Sequence, residues 1–473
     1  MKQRIERWCR RFLSAVRALG RSIRHLLLKT DVERLLTLGY TSALPQRRLL
    51  VGYLVYFLIG AFLLLLPFMR TRGVPFVDQL FTSMSAISTT GLMSVSITDY
   101  TFWGQLVILL LIQLGGLGYM TISTFAMYHL TRHFMGTKAK EFHAQFAIPE
   151  TMRPSVLVNH IVGFTFLFEL AGTVLLYLLF MQEGVEQPLW CAVFHSVSAF
   201  CTAGFSVFPE GLVRFTTNIP VNAVIITLSY AGAMGFIVIS DLWRKLTVRR
   251  YRVTFTTKVI VSITTIVTLW GTMHLFFFEP SFRQFAPGER VLVSVFQTMS
   301  AMTTVGFNTV NMGAVVPLSL LVLTMIMYIG ASPSGTGGGL KSTTLSAVYA
   351  FVKCKLGLRK EITFAGHHIP HYRVETALTT FVFYTVILWL GIYLLSLSEA
   401  DDMPILSLIF EAASALGTVG LSSGVTASLS AVGKIILIAL MFIGRVGVLT
   451  LGIAFLARLN RRPQSTDDED LAV

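Results

Sequence analysis

Residues 81–94 read FTSMSAISTTGLMS, and the same register returns three times: FHSVSAFCTAGFSV over 194–207, FQTMSAMTTVGFNT over 296–309 and FEAASALGTVGLSS over 410–423. Each stretch opens on a Phe, followed four residues on by Ser, then Ala, and ten residues on by Gly: Gly91, Gly204, Gly306 and Gly420. A Thr stands two before each glycine (Thr89, Thr202, Thr304, Thr418), and Leu or Phe follows it directly (Leu92, Phe205, Phe307, Leu421). The leading phenylalanines lie 113, 102 and 114 residues apart. Self-similarity at a near-constant period marks an internal repeat.

Outward from these stretches the chain is apolar on both sides. A helix needs about 20 apolar residues to cross a bilayer. Eight runs are long enough: 48–68, 103–130, 157–181, 219–240, 257–278, 316–351, 374–397 and 434–456. Every repeated stretch falls between two of them. Composition agrees: 54% of the 473 residues are hydrophobic and only 13% charged, with a mean hydropathy of +0.69. A soluble domain carries about 25% charge. These values exclude a water-soluble globule, and they exclude a disordered chain as well. The units expected are a basic cytoplasmic arm over 1–47, repeats over 48–130, 157–243, 257–352 and 374–457, and a cytoplasmic tail over 458–473.

The net charge of +14 would suit nucleic acid, but its distribution does not. Residues 1–49 hold twelve Lys/Arg against three acids, so +9 lies in one arm. The remaining bases cluster in 131–156, 241–256, 352–373 and the tail after 457. This is the positive-inside pattern. It places both termini in the cytoplasm of a multi-pass cell-membrane protein and the arm against anionic lipid headgroups, with no nucleic-acid partner. The other connections, 69–102, 182–218, 279–315 and 398–433, lean acidic and face out. The first thirty residues lack the continuous apolar core of a secretory signal. Cys9, Cys191, Cys201 and Cys354 have no metal-ligand spacing, and free thiols are expected.

The segment Phe81–Ile87 is too short to cross a membrane. It suits a re-entrant helix that dips in and returns through an extended strand. Non-helical backbone at that depth is tolerated only when buried or lining water. Four such strands around one axis can replace the hydration shell of a cation with carbonyl oxygens. Glycine supplies positive φ and close approach. The expected fold is an all-α polytopic membrane protein: four covalently linked membrane helix–pore loop–membrane helix repeats around a central pseudo-fourfold pore.

These motifs resemble the Trk/Ktr/HKT family of potassium transporters, and the resemblance covers roughly residues 45–456. It implies a selectivity filter of Thr89, Thr90 and Gly91, of Thr202, Ala203 and Gly204, of Thr304, Val305 and Gly306, and of Thr418, Val419 and Gly420. K+ would be held at the four glycines, and glycine at all four resembles the K+-selective members. One Gly per repeat, rather than TVGYG, leaves Na+ passage open, whether as a less selective Na+/K+ path or as a coupled symport. The absence of a 20-residue apolar run within 1–47 resembles the Ktr-type pore subunit. That branch implies a homodimer on a cytoplasmic ring of nucleotide-binding regulatory subunits, with no organic cofactor bound by this chain.

Two further features bear on gating. The sixth run is interrupted by GASPSGTGGG over 330–339, then Leu340 and Lys341. Pro and five glycines cannot hold a helix in lipid, so a break buried in protein is expected. It resembles the family's intramembrane gate, here Gly335, Gly337, Gly338 and Gly339. A Walker loop needs Gly directly before Lys, and Leu340 intervenes. Arg445, in FIGRVGVL, is a cation at bilayer depth and should face the interior. The resemblance makes it a gating residue below the filter, flanked by Gly444 and Gly447 for close packing. Lys341 is a weaker candidate of the same kind. Glu169, within the third run, is a functional candidate or a helix–helix bond. His195 and Glu411 hold matching places where either could cap backbone, and Asn222 lies near an outer helix end. No nucleophile or metalloprotease motif occurs, so no enzyme is expected. Alternating-access transporters often carry inverted repeats; here each repeat has two spans and all share one orientation.

Overall fold

The computed structural model describes residues 45–118, 154–333, 335–358, 361–399 and 403–456. The basic arm before 45, the connection 131–153 and the tail after 456 lie outside these residues. Within them the chain forms fourteen α-helices and one tiny hairpin.

Each repeat supplies a first helix, a short helix and a second helix. Repeat 1 has α1 (Pro45–Leu65), α2 (Phe76–Ile87) and α3 (Phe102–Leu117). Repeat 2 has α4 (Pro154–Gln182), α5 (Pro188–Phe200) and α6 (Ile219–Thr247). Repeat 3 has α7 (Phe255–Phe278), α8 (Pro287–Thr303), α9 (Pro317–Tyr328) and α10 (Ser342–Leu356). Repeat 4 has α11 (His371–Ser398), α12 (Ile405–Gly417), α13 (Ala431–Val446) and α14 (Val448–Leu456). Their starts follow sequence rules. Pro leads α5, α8 and α9, where its missing N–H costs nothing. Thr101, Asn218, Thr254 and Ser430 accept first-turn N–H groups as N-caps.

In every repeat the short helix packs between the two long ones. Glycine permits this: Gly60, Gly172, Gly271 and Gly391 sit at corresponding places on the first helices. A Cβ on Gly60 would stand 2.7 Å from Ser83 and Leu111, and one on Gly271 would stand 2.6 Å from Thr298 and Ile326. Each second helix then packs on the short helix of the next repeat: α3 on α5, α6 on α8, α9 on α12, and α13 back on α2. The repeats thus close into a ring of four. The core lies at the short helices, where Phe81, Phe194, Phe296 and Phe410 are fully buried. Leu58, Phe62, Phe166, Leu170, Trp270 and Trp389 point outward and are exposed, as lipid-facing side chains are.

Among the described residues four helices, α4, α6, α7 and α11, are long and apolar enough to cross a membrane singly; the second expected run, 103–130, lies partly outside those residues. The eighth expected span is not straight: α13 and α14 meet at 94°. Gly447 takes φ 92° there with no close neighbour, so it serves the turn rather than the packing expected of it. The otherwise helical chain also has a short antiparallel pair, Thr363–Phe364 with His367–His368, turned by Ala365 and Gly366 at positive φ.

Candidate functional site

The short helices all end on a left-handed threonine. Thr89, Thr202, Thr304 and Thr418 have φ of 52°, 51°, 57° and 49°. Two residues later Gly91, Gly204, Gly306 and Gly420 have φ of 90°, 64°, 80° and 95°. Positive φ was expected of the glycines alone. A threonine in this region costs about 1–2 kcal/mol, so the surroundings must impose it. The serine four residues after each leading Phe does so. The N–H groups of Thr90, Ala203, Val305 and Val419 donate to the carbonyls of Ser85, Ser198, Ser300 and Ser414 at 2.8–3.1 Å. The hydroxyls of Ser85, Ser198 and Ser300 then donate to the carbonyls of Leu92, Phe205 and Phe307 at 2.8, 2.8 and 2.6 Å. In repeat 4 Ser414 Oγ instead accepts from the Gly420 N–H at 3.0 Å. Each extended strand is therefore pinned along its own helix.

The residue after each Phe anchors the outer return of the chain. Tyr100 donates to Thr82 at 3.2 Å, His195 Nε2 meets Ser206 Oγ at 2.9 Å, and Gln297 donates to Thr309 at 3.0 Å. Buried Glu411 accepts from Ser422, Thr426 and the Ser423 N–H. His195 and Glu411 thus act as local braces. Asn222 does likewise, donating to the Phe215 carbonyl at 2.7 Å.

The four strands meet. A Cβ on Gly91 would run into the Ala203 carbonyl oxygen, on Gly204 into that of Val305, on Gly306 into that of Val419, and on Gly420 into that of Thr90. The contacts run from repeat 1 to 2, 3, 4 and back to 1. All twelve residues of the sequence-derived set, Thr89 to Gly91, Thr202 to Gly204, Thr304 to Gly306 and Thr418 to Gly420, are fully buried in this ring.

The 330–339 segment packs against the threonine end of the ring. The Gly338 N–H donates to Thr304 Oγ1 at 3.2 Å, and Thr336 Oγ1 lies 3.0 Å from Thr202 Oγ1. A Cβ on Gly337 would strike Thr304 Oγ1, one on Gly338 would strike Thr418 Oγ1, and one on Gly335 would strike the Ala233 carbonyl. Gly339, at φ 73°, would strike Gly330. The loop is anchored by Gly330 N–H to Leu340 O at 2.9 Å, Ala331 N–H to Gly338 O at 3.1 Å, and Thr336 N–H to Gly232 O at 3.0 Å. Lys341 Nζ donates to the Gly337 carbonyl at 2.7 Å.

Arg445 crosses from the last turn of α13. Its guanidinium donates to the Thr336 carbonyl on the loop and to the Gly115 carbonyl at the end of α3, with the Gly116 carbonyl 3.5 Å away. The last carbonyls of a helix lack intrahelical partners, and a cation there also complements the helix dipole. One side chain thus ties repeat 4 to the loop of repeat 3 and to repeat 1.

A family model described as TrkH, cation transport protein, matches residues 54–463. The chain belongs to the TrkH family of cation transport proteins. Among its relatives, "Ktr system potassium uptake protein B" of Bacillus subtilis is 33% identical, over 87% of this chain and 93% of the relative. The protein of the same name from Vibrio alginolyticus is 32% identical, over 89% and 92%. "Potassium/sodium uptake protein NtpJ" of Enterococcus hirae is 30% identical, over 88% and 94%. In fold, the chain is similar to the potassium transporter TrkH of Vibrio parahaemolyticus, with a TM-score of 0.72 at 19% identity, covering 95% of this chain and all of that one.

Sequence reasoning missed one repeat. GGLG over 115–118, GAMG over 232–235, GASP over 330–333 and GRVG over 444–447 recur on the four second helices. The first glycine of three of them meets the carbonyl at the end of the short helix: Gly115 meets Ile87, Gly232 meets Phe200 and Gly444 meets Leu416. The helix then breaks at Gly118, Gly235 and Gly447, all at positive φ. This register was readable once the first repeat had been found, and it places Arg445 where the other repeats have Gly116, Ala233 and Ala331.

Proposed function

We propose that this protein takes up K+ through a gated, channel-like pore in the cell membrane, and that the ring from Thr89–Gly91 to Thr418–Gly420 is its selectivity filter. One observation carries the reading: each glycine is pressed on the next repeat's carbonyl in a closed cycle, with no room for a Cβ. Four strands around one axis offer backbone oxygens in place of a cation's water. K+ would sit at Gly91, Gly204, Gly306 and Gly420, the transported ion needing no side-chain ligand or organic cofactor. The potential, about 2.3 kcal/mol per charge per 100 mV, drives entry. The names of the Ktr relatives support K+ as cargo.

The loop with Gly335, Gly337, Gly338 and Gly339 acts as the gate, and Arg445 holds it against the ring. The four repeats carry the boundaries read from sequence, with both termini cytoplasmic. A homodimer in the lipid bilayer, docked on a cytoplasmic nucleotide-binding ring, completes the system, as the word "system" in the relatives' names supports. A second reading, a less selective Na+/K+ path or a Na+-coupled one, is favoured by the potassium/sodium relative. The test is Rb+ and Na+ flux into liposomes holding the protein. Gly306→Ser is expected to lose preference for K+ and Rb+ over Na+. An unchanged preference overturns the filter assignment, and equal wild-type fluxes favour the second reading.

A further inference from the structure

Among the described residues three seams between a second helix and the next first helix carry a side-chain pair, and one of these differs; at the fourth, Arg47 Nε donates to the Ala454 carbonyl at 2.9 Å. Between repeats 2 and 3 Tyr230 meets Thr268 at 2.8 Å, and between repeats 3 and 4 Tyr328 meets Thr385 at 2.6 Å. Both pairs are neutral. Between repeats 1 and 2 the contact is a carboxylate: Gln113 Nε2 of α3 donates to Glu169 Oε2 of α4 at 3.2 Å. Among the described residues the other oxygen receives only the Cys201 thiol, at 3.6 Å. Glu169 is 4% exposed, and among the described residues no Lys or Arg forms a salt bridge with it. A carboxylate buried without a cation is stabilised by taking up a proton.

Its position links ring and gate. Cys201 directly precedes filter Thr202. Gly116 is packed so tightly on Cys201 that a Cβ would stand 2.5 Å from Sγ. The Gly115 and Gly116 carbonyls are the ones that face Arg445. An open cavity of about 70 Å³ lies alongside, lined by Thr165, Gly116, Phe200, Gly335 and Thr336. Thr165 is one turn before Glu169 on the same helix, so the cavity connects that turn with the gate loop.

The geometry points to Glu169 as a proton-binding site whose charge sets how firmly Arg445 holds the gate loop. This rests on the pore reading above. The proton arrives from water through the cavity and settles on a carboxylate oxygen, with no other bond made or broken. Ionised, Glu169 accepts from Gln113 and Cys201 and so fixes the end of α3 whose carbonyls seat Arg445; protonated, it loosens that seat. The other groups near this seam do not duplicate it. α3 carries no titratable residue. On α5 and just after it are Cys191, His195 and Cys201, and both His195 nitrogens are engaged, by Cys191 O and Ser206 Oγ. On α6 are Tyr230, bonded to Thr268, Asp241, which accepts from Tyr251, Thr254 and Thr257, and the exposed Arg244 and Lys245 in its last turn. Lys341, on the gate loop, bonds Gly337.

The test is Rb+ flux into liposomes with pH lowered on both faces from about 8 to about 6. Wild-type flux is expected to rise about tenfold, an ordinary size for coupling between sites. Glu169→Gln should be fast at both values, and Glu169→Asp should keep a pH response. A pH response that survives in Glu169→Gln, or none in the wild type, overturns the proposal while leaving the pore reading intact. No Rb+ flux at any pH sinks the pore reading itself. Should Glu169→Gln fail to fold, pH-difference infrared spectra of wild type and Glu169→Asp decide. A protonated-carboxyl band that shifts between the two supports the site, and no such band removes it.

Discussion

The hydroxyl of Ser300 reaches the Phe307 carbonyl at 2.6 Å, and its own carbonyl receives the Val305 N–H at 3.1 Å. Those two bonds hold a strand whose threonine and glycine both sit at positive φ. Ser300→Ala leaves a buried carbonyl without its hydroxyl donor, a cost of about 1–3 kcal/mol. The expected outcome is a lower melting temperature together with a reduced Rb+/Na+ flux ratio. A ratio equal to wild type would show that the strand holds its shape without the clamp. The serine was visible in the sequence as a register position. Its partner seven residues on was not, because a hydrogen bond across a reversal leaves no periodic trace.

At the level of elements, the second helices differ in how they break, and the proposed gate rests on that difference. α3 ends at Gly118, the repeat 2 and repeat 4 helices break on Gly235 and Gly447, and the third repeat breaks over 330–339. Among the described residues only that last break extends under the ring and bonds to its threonines. Arg445 reaches it from α13. Arg445→Ala, or shortening of 331–339, is expected to raise Rb+ flux severalfold, because each removes contacts that hold the loop in place. If both variants conduct like wild type, the loop is a packing break and the gating role falls. Glycine content made the break legible in advance. The kink of α13 into α14 was not, since 434–456 reads as one continuous apolar run.

For the whole molecule, closure depends on the contact between the last repeat and the first. There Lys434 of α13 meets Asp78 of α2 at 2.7 Å, both side chains about nine-tenths buried. Removing one partner of a buried pair leaves an uncompensated charge and costs about 3–5 kcal/mol. Lys434→Met should therefore lower the melting temperature in detergent markedly, and adding Asp78→Leu should restore most of it. A single variant as stable as the wild type would mean that this seam carries little of the closure. In sequence Asp78 reads as one more outer acid, because its partner is 356 residues away.

The amino-acid sequence alone determined the membrane class, the fourfold recurrence of the Phe-to-Gly stretch and the twelve residues that meet in the ring. Hydropathy and register are local, and they recur four times. The tertiary structure alone decided the cyclic order of glycine-to-carbonyl contacts, the left-handed threonines and the targets of Arg445, Lys434 and Glu169. Those depend on which distant backbones are brought together, and spacing along the chain does not encode that.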